Sequence, residues 1–217
     1  VELLAARPLA LVACVVVLLW LGYRHLSGRR APVLIGLVAL VLVVNGALEW
    51  RWIAAQGELS GAVRSVTGRD DVHVRCQRLG AAMFYALRYQ GYVEYAADGS
   101  LPQEAFVTWE TCQDLRGWLG SDKSSPSREQ VVAVHVLAHE AMHLTGETNE
   151  ARTECRALQR DATVARLLGA TQAQGDALAS RYWSEVYPQV GPDYRSADCA
   201  PGGAWDEAPG TAAWPTG

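Results

Sequence analysis

Apolar positions crowd the first fifty residues and then give way to mixed patterns. One nearly unbroken apolar block runs from about Leu3 to Tyr23, and a second from about Ala31 to Trp52. A helix rises about 1.5 Å per residue and the hydrocarbon core of a bilayer is about 30 Å thick, so about 20 such residues cross it. Both blocks meet that length and predict transmembrane helices. Asn45 and Glu49 fall near the end of the second, followed by Trp50 and Trp52, as expected of an interfacial aromatic belt. No strongly cationic stretch precedes the first block and no small-x-small site follows it, which argues against a cleaved signal peptide. Residues 24–30 read Arg-His-Leu-Ser-Gly-Arg-Arg. This basic loop predicts a cytoplasmic turn, with both chain ends outside. The expectation is a multi-pass cell-membrane anchor, residues 1–52, that contacts lipid through two helices and carries an extracytoplasmic C-terminal domain.

Beyond Trp52 the patterns are those of a water-soluble α+β domain. Residues 53–70, with Gly57, Gly61 and Gly68 among polar positions, predict a linker. Val72 to Arg75 alternates like a strand, and Gln77 to Tyr89 predicts a helix. Tyr92 to Tyr95 and Ala105 to Trp109 are rich in strand formers and flank Asp98-Gly99, a turn dipeptide; they predict a short antiparallel sheet. Thr111 to Leu119 predicts a short helix. Ser127 is a good N-cap for a helix from about Arg128 to Leu144, ended by Gly146. A second long helix is expected from Thr148 or Asn149 to Leu168, and a third from Thr171 to Val186. The domain then covers residues 71–190, mostly helical in its second half. An irregular tail, residues 191–217, follows, and its Trp205 and Trp214 are expected to pack back on the surface.

Composition narrows the partners. The 217 residues carry 19 Lys and Arg against 23 Asp and Glu, a net charge of −4. No broad basic surface is available for phosphates, so nucleic acid is excluded as a partner. Cys14 falls inside the first apolar block. Cys76, Cys112, Cys155 and Cys199 all fall in the part expected outside the cytosol, where an even number predicts two disulfides. Of three pairings, Cys76–Cys112 and Cys155–Cys199 are favoured because each joins neighbouring segments.

The segment with chemistry is His135-Val-Leu-Ala-His139-Glu140-Ala-Met-His143-Leu-Thr-Gly146, followed by Asn149-Glu150 and Glu154. On a helix, residues four apart lie on one face. His139 and His143 can therefore share one Zn2+ ion, while Glu140 stands beside it as a base for water. Catalytic zinc takes a third protein ligand and keeps one position open. After the turn at Gly146, either Glu150 or Glu154 can be that ligand, and the other can hydrogen-bond a ligand histidine. His135, four residues earlier, can face the same groove as a supporting residue or alternative ligand. His25 and His73 have no evident partner. Neither a Ser-His-Asp nor a Cys-His arrangement has comparable local support.

Residues 131–158 resemble the zincin metallopeptidases of the HExxH type, and among them the gluzincins. The resemblance implies that His139, His143 and Glu150 bind zinc, that Glu140 is the general base, and that Glu154 is the acid that orients a ligand histidine. It further implies a zincin-like domain fold with a sheet whose edge strand lies above the active-site helix and pairs with extended substrate, for which Ala105 to Trp109 is the candidate. Tyr182, Tyr187 or Tyr194 would be the oxyanion-stabilising residue. The implied activity is zinc-dependent hydrolysis of a peptide or protein substrate outside the membrane. The competing expectation is a cell-surface binding domain stabilised by zinc or by disulfides, without catalysis. An intramembrane site is disfavoured, because the motif lies outside both apolar blocks on a helix with many polar residues.

Overall fold

The structure, a computed structural model, describes residues 6–28, 32–78, 90–209 and 214–215. Most of the helix expected over Gln77–Tyr89, the Arg29-Arg30 pair, and part of the tail lie outside the described residues. The chain divides into two compact units. One comprises residues 1–55 and 78–86, the other 56–77 and 87–217.

In the first unit, α1 spans Ala6–Leu26 and α2 starts at Pro32. Their most apolar windows have mean hydropathies of 2.0 and 2.2, yet only 6% of each window is buried. Leu19, Val33 and Val43 are among the side chains that point outward. A core helix would hide such residues; these two are long and apolar enough to cross a membrane. The segment expected as a linker differs. α2 continues without a break to Thr67, 36 residues in all, a length of about 54 Å at about 1.5 Å per residue. Gly57 and Gly61 are one helical turn apart and sit within it. An internal glycine costs a helix only about 1 kcal/mol, and the same stretch buries Leu59, Ala62 and Val63. Gly68, at φ +67°, ends the helix.

The second unit is α+β. Its strands are β1 (His73–Cys76), β2 (Gly91–Val93) and β3 (Glu104–Val107), in the order β1-β3-β2. β2 pairs antiparallel with β3, as expected, but β1 runs parallel to β3, so the sheet is mixed. Alternation places Val74, Cys76, Ala105 and Val107 inward. β3 has neighbours on both sides and cannot accept another strand. The expectation that Ala105–Trp109 is the strand exposed to an extended ligand is therefore corrected. Among the described residues β2 is the edge strand on the site's side.

The helices are α3 (Trp109–Gly120), α4 (Arg128–Leu144), α5 (Glu150–Leu158), α6 (Asp161–Leu167) and α7 (Gln172–Arg181). α4 begins at the capping box of Ser127 and Gln130, whose side chains each bond the other's backbone N–H. It is the central element, packed against α3, α5, α6, β2 and β3. From Val131 onward almost every residue is buried, including Leu137, Ala138, Ala141 and Met142. Gly146, at φ +94°, turns the chain into α5. The single helix expected over 148–168 is two helices. Gln159 bonds the carbonyls of Cys155 and Trp205 at the break, and Asp161 turns fully inward. The third expected helix is likewise divided: α7 is followed by a turn of π-helix at Tyr182–Val186 and a 3-10 turn at Tyr187–Gln189. The disulfides are Cys76–Cys112 and Cys155–Cys199, with Cα separations of 5.9 and 5.5 Å. The first ties β1 to α3; the second ties α5 to the tail. Trp214 is buried edge-on to Trp183.

Candidate metal centre

α4 carries three histidines at intervals of four, His135, His139 and His143, and all three are buried. Residues four apart are offset by about 40°, so the rings form a stripe that faces α5. Asn149 caps α5 through the N–H of Arg152 and fixes the start of that helix. Glu150 and Glu154, one turn apart, then face the stripe at different heights.

Two groups of side chains could hold a metal ion: His139, His143 and Glu150, and His135, His139 and Glu154. In the first, His139 Nε2 lies 3.1 Å from His143 Nε2 and 3.1 Å from Glu150 Oε2, and His143 Nε2 lies 3.4 Å from that oxygen. Tetrahedral bonds of about 2.0–2.1 Å to zinc place ligand atoms about 3.3–3.4 Å apart. The triangle fits this spacing closely.

Proton assignment supports the fit. The Nδ1 of His139 faces Glu154 Oε2 at 3.0 Å, and the Nδ1 of His143 faces the Glu147 carbonyl at 2.8 Å. Carboxylates and carbonyls only accept, so both Nδ1 atoms carry the hydrogen. Tyr95 Oη lies 3.1 Å from His143 Nδ1 and donates its own hydrogen to the Glu147 carbonyl at 2.6 Å. Both Nε2 lone pairs therefore point at the Glu150 carboxylate. Three acceptors that converge in this way suit a cation. This is how ligand histidines are usually held, with the second ring N–H fixed by a protein acceptor. Protons compete for the same atoms: burial alone would lower His139, but Glu150 and Glu154 outweigh it and raise the ring to about 9. With hydrogens rather than a metal at the Nε2 atoms, hydrogen bonds from His139 and His143 hold Glu150 down, to about 2.

The second group is organised differently. Glu154 Oε2 accepts from His135 Nε2 at 2.9 Å as well as from His139, and its Oε1 accepts from Tyr182 Oη at 2.8 Å. His135 Nδ1 sits 2.9 and 3.0 Å from the two oxygens of Asp161. Burial would lower His135, yet Asp161 and Glu154 raise it to about 10. It is a charged ring clasped between two carboxylates, with Tyr182 stacked on it at 3.6 Å. Glu154 thereby accepts three hydrogen bonds in a buried position, whereas the Glu150 side chain is 42% exposed and leaves an approach to its triangle.

Glu140 is buried, and its Oε2 makes no hydrogen bond. Burial pushes its carboxyl up to about 7, against the pull of His139 and His143. β2 comes close here: a Cβ on Gly91 would stand 2.7 Å from Glu140 Oε1. Glycine is what allows the edge strand to pass so near the acid. His135, His139, Glu140 and Glu154 line a cleft of about 450 Å³, closed on the far side by residues of the π-helical turn and the tail; of the triangle only His139 reaches it, and Glu150 is approached from its own exposed side.

Of the three tyrosines considered from sequence, Tyr182 supports Glu154, and burial raises its hydroxyl far above the ordinary value. Tyr187 stacks on Trp183 at 5.0 Å. Tyr194 stands in the cleft wall, 5.8 Å from His139 between ring centroids. His73 has a partner after all, Glu104 at 2.8 Å. Sequence reasoning missed Tyr95, Asp161 and Gly91. Asp161 is seven residues from Glu154, a helical spacing that could have flagged it; nothing local marks Tyr95 or Gly91.

Compared with protein-family models, with curated proteins and with solved structures, the chain matches none.

Proposed function

We propose that this protein is a zinc metallopeptidase, anchored in a cell membrane by α1 and α2, with its catalytic domain on the extracytoplasmic side. The observation that carries the reading is the triangle of His139 Nε2, His143 Nε2 and Glu150 Oε2, with edges of 3.1–3.4 Å and both Nδ1 hydrogens already engaged. In this reading those three residues hold the zinc, Glu154 orients His139, and Glu140 is the base. The assignment agrees with the resemblance of residues 131–158 to the gluzincins. The two disulfides and the basic loop after α1 favour the extracytoplasmic side for the domain.

A bound zinc ion supplies a Lewis acid that brings the pKa of water to about 7 and polarises a carbonyl. The chain's own residues do the rest. Glu140 accepts the proton of the attacking water and returns it to the leaving amine. In this reading the outer edge of β2, whose Gly91 lines the cleft, would pair with an extended substrate in the manner of strand addition. Tyr194, in the cleft wall near His139, would then meet the negative charge that develops on the carbonyl oxygen. A zinc-stabilised binding domain without catalysis accounts for the triangle but leaves the buried, unbonded oxygen of Glu140 unexplained.

The test uses the full chain in detergent, because α2 runs continuously toward the domain. About one zinc per chain is expected, lost in the His139→Ala/His143→Ala double variant. Glu140→Gln should keep the zinc and lose peptide hydrolysis by at least about 100-fold. Folded, unchelated protein without zinc would overturn the metallopeptidase reading. Unaltered function in Glu140→Gln would replace it with the binding domain.

A further inference from the structure

The cleft does not end at the metal centre. It follows the face of α4 that carries Arg128, Val132, Val136 and His139, a stripe of three- and four-residue steps. Val186 and Val190 form the opposite wall. Val132, Val136 and Val190 are half-buried, so they leave apolar surface toward the cleft, and Val186 is buried in it. The far end is different in kind. Arg128 is exposed, and among the described residues its guanidinium enters no hydrogen bond or ion pair. The neighbouring cation Arg181 is already engaged, with Glu185 at 2.9 Å and the Pro126 carbonyl at 2.6 Å. An aliphatic trough thus leads from His139, the residue of the triangle that lines it, to the guanidinium of Arg128, whose electrostatic neighbour is Glu129.

We propose that this trough is a substrate subsite and that Arg128 reads a carboxylate of the substrate, either an Asp or Glu side chain or a free C-terminus. The inference rests on the metallopeptidase reading and gives it a substrate class: peptides with an apolar stretch beside the scissile bond and a negative charge beyond it. Arg128 lies eleven residues before His139 on the same helix, about 16 Å along the axis at about 1.5 Å per residue. An extended peptide advances about 3.3 Å per residue. With the reach of the two side chains subtracted, the acid falls about three to five positions from the cleaved bond. The guanidinium fork suits this task, since it binds a carboxylate through two parallel N–H bonds.

The experiment is cleavage of a random dodecapeptide mixture by the zinc-loaded full chain, with the products sequenced by mass spectrometry. Wild type should show Asp, Glu or the C-terminus enriched about fivefold at one position three to five residues from the cut, the size expected of a partly exposed charge pair. Arg128→Ala should flatten that position. Arg128→Glu should shift it to Lys and Arg. Zinc content of both variants should equal wild type, which separates lost recognition from lost folding. Cleavage with no acidic preference, or a preference that survives Arg128→Glu, overturns the subsite and leaves the peptidase standing. A zinc-loaded protein that cleaves nothing in the mixture overturns the peptidase reading, and the subsite with it.

Discussion

Two histidines one turn apart on α4 are both buried and both face carboxylates, yet they are held in opposite ways. His135 has each ring nitrogen against a carboxylate, Asp161 on one side and Glu154 on the other. His139 has one nitrogen against Glu154 and turns the second toward His143 and Glu150. The first arrangement is closed. Both ring nitrogens are engaged by carboxylates of the domain itself. The second is open by one position, and Glu150, which completes it, is the more exposed of the two glutamates. The residue types are nearly the same in both places. What separates a packed ion pair from a candidate metal centre is where the second nitrogen points: in His135 at a carboxylate of its own, in His139 at a place where a second imidazole and a carboxylate converge.

That contrast predicts a graded response of zinc binding to the carboxylates. Glu150→Gln should be the most damaging, since it replaces an anionic ligand by a neutral amide; affinity should fall by more than about 100-fold. Glu154→Gln should cost about 10–100-fold, the range found for residues that orient a ligand histidine. Competition against a chromophoric chelator measures both. The reverse order would move the metal to His135, His139 and Glu154 and make Glu150 the accessory residue.

Asp161→Asn probes the closed arrangement. Removal of one partner from a buried ion pair costs about 3–5 kcal/mol of stability, visible in denaturant unfolding. Zinc affinity should change by less than about tenfold, because Glu154 keeps its bonds to His139 and Tyr182. A loss of zinc as large as that of Glu154→Gln would show that His135 belongs to the metal centre and that the contrast between the two histidines is false.

The legibility of the site in the sequence follows the same division. The spacing of His139, Glu140 and His143, and the two glutamates beyond Gly146, depend only on helical periodicity, so the cluster of histidines and glutamates could be read from local pattern. The order of Glu150 and Glu154 could not, because it depends on where α5 starts relative to α4, and Asn149 and the turn at Gly146 set that in three dimensions. Asp161 was hidden for a related reason. One continuous helix was expected across 148–168, and the break at Gln159 answers to a contact with Trp205, 46 residues away. The sheet shows the same limit. Alternation in β1 and strand-forming residues in β2 and β3 located the strands, but local pattern says nothing of their order. β3 therefore looked like the exposed edge until its pairing with β1 and β2 was seen. The glycines of α2 misled in the other direction: burial of Leu59 and Val63 outweighs a local preference for a linker.

The smallest effect belongs to Tyr95, the counterpart on the open side of what Asp161 does on the closed side. Its hydroxyl and the Glu147 carbonyl share the Nδ1 hydrogen of His143, at 3.1 and 2.8 Å. Burial, followed by repulsion from Glu150, raises that hydroxyl to about 12, so it keeps its own hydrogen and donates it to Glu147. Tyr95→Phe removes one acceptor and leaves the other, which is shorter and fixed in the backbone. A single neutral hydrogen bond contributes about 0.5–1.5 kcal/mol, and the remaining acceptor recovers part of it, so zinc affinity should fall only about threefold. Chelator competition resolves a change of that size. A loss above about tenfold would mean that Tyr95, not the carbonyl, holds His143 in register. In that case the open arrangement would depend on a half-exposed side chain at the end of β2, and the strand beside Glu140 would control the metal as well as the substrate path.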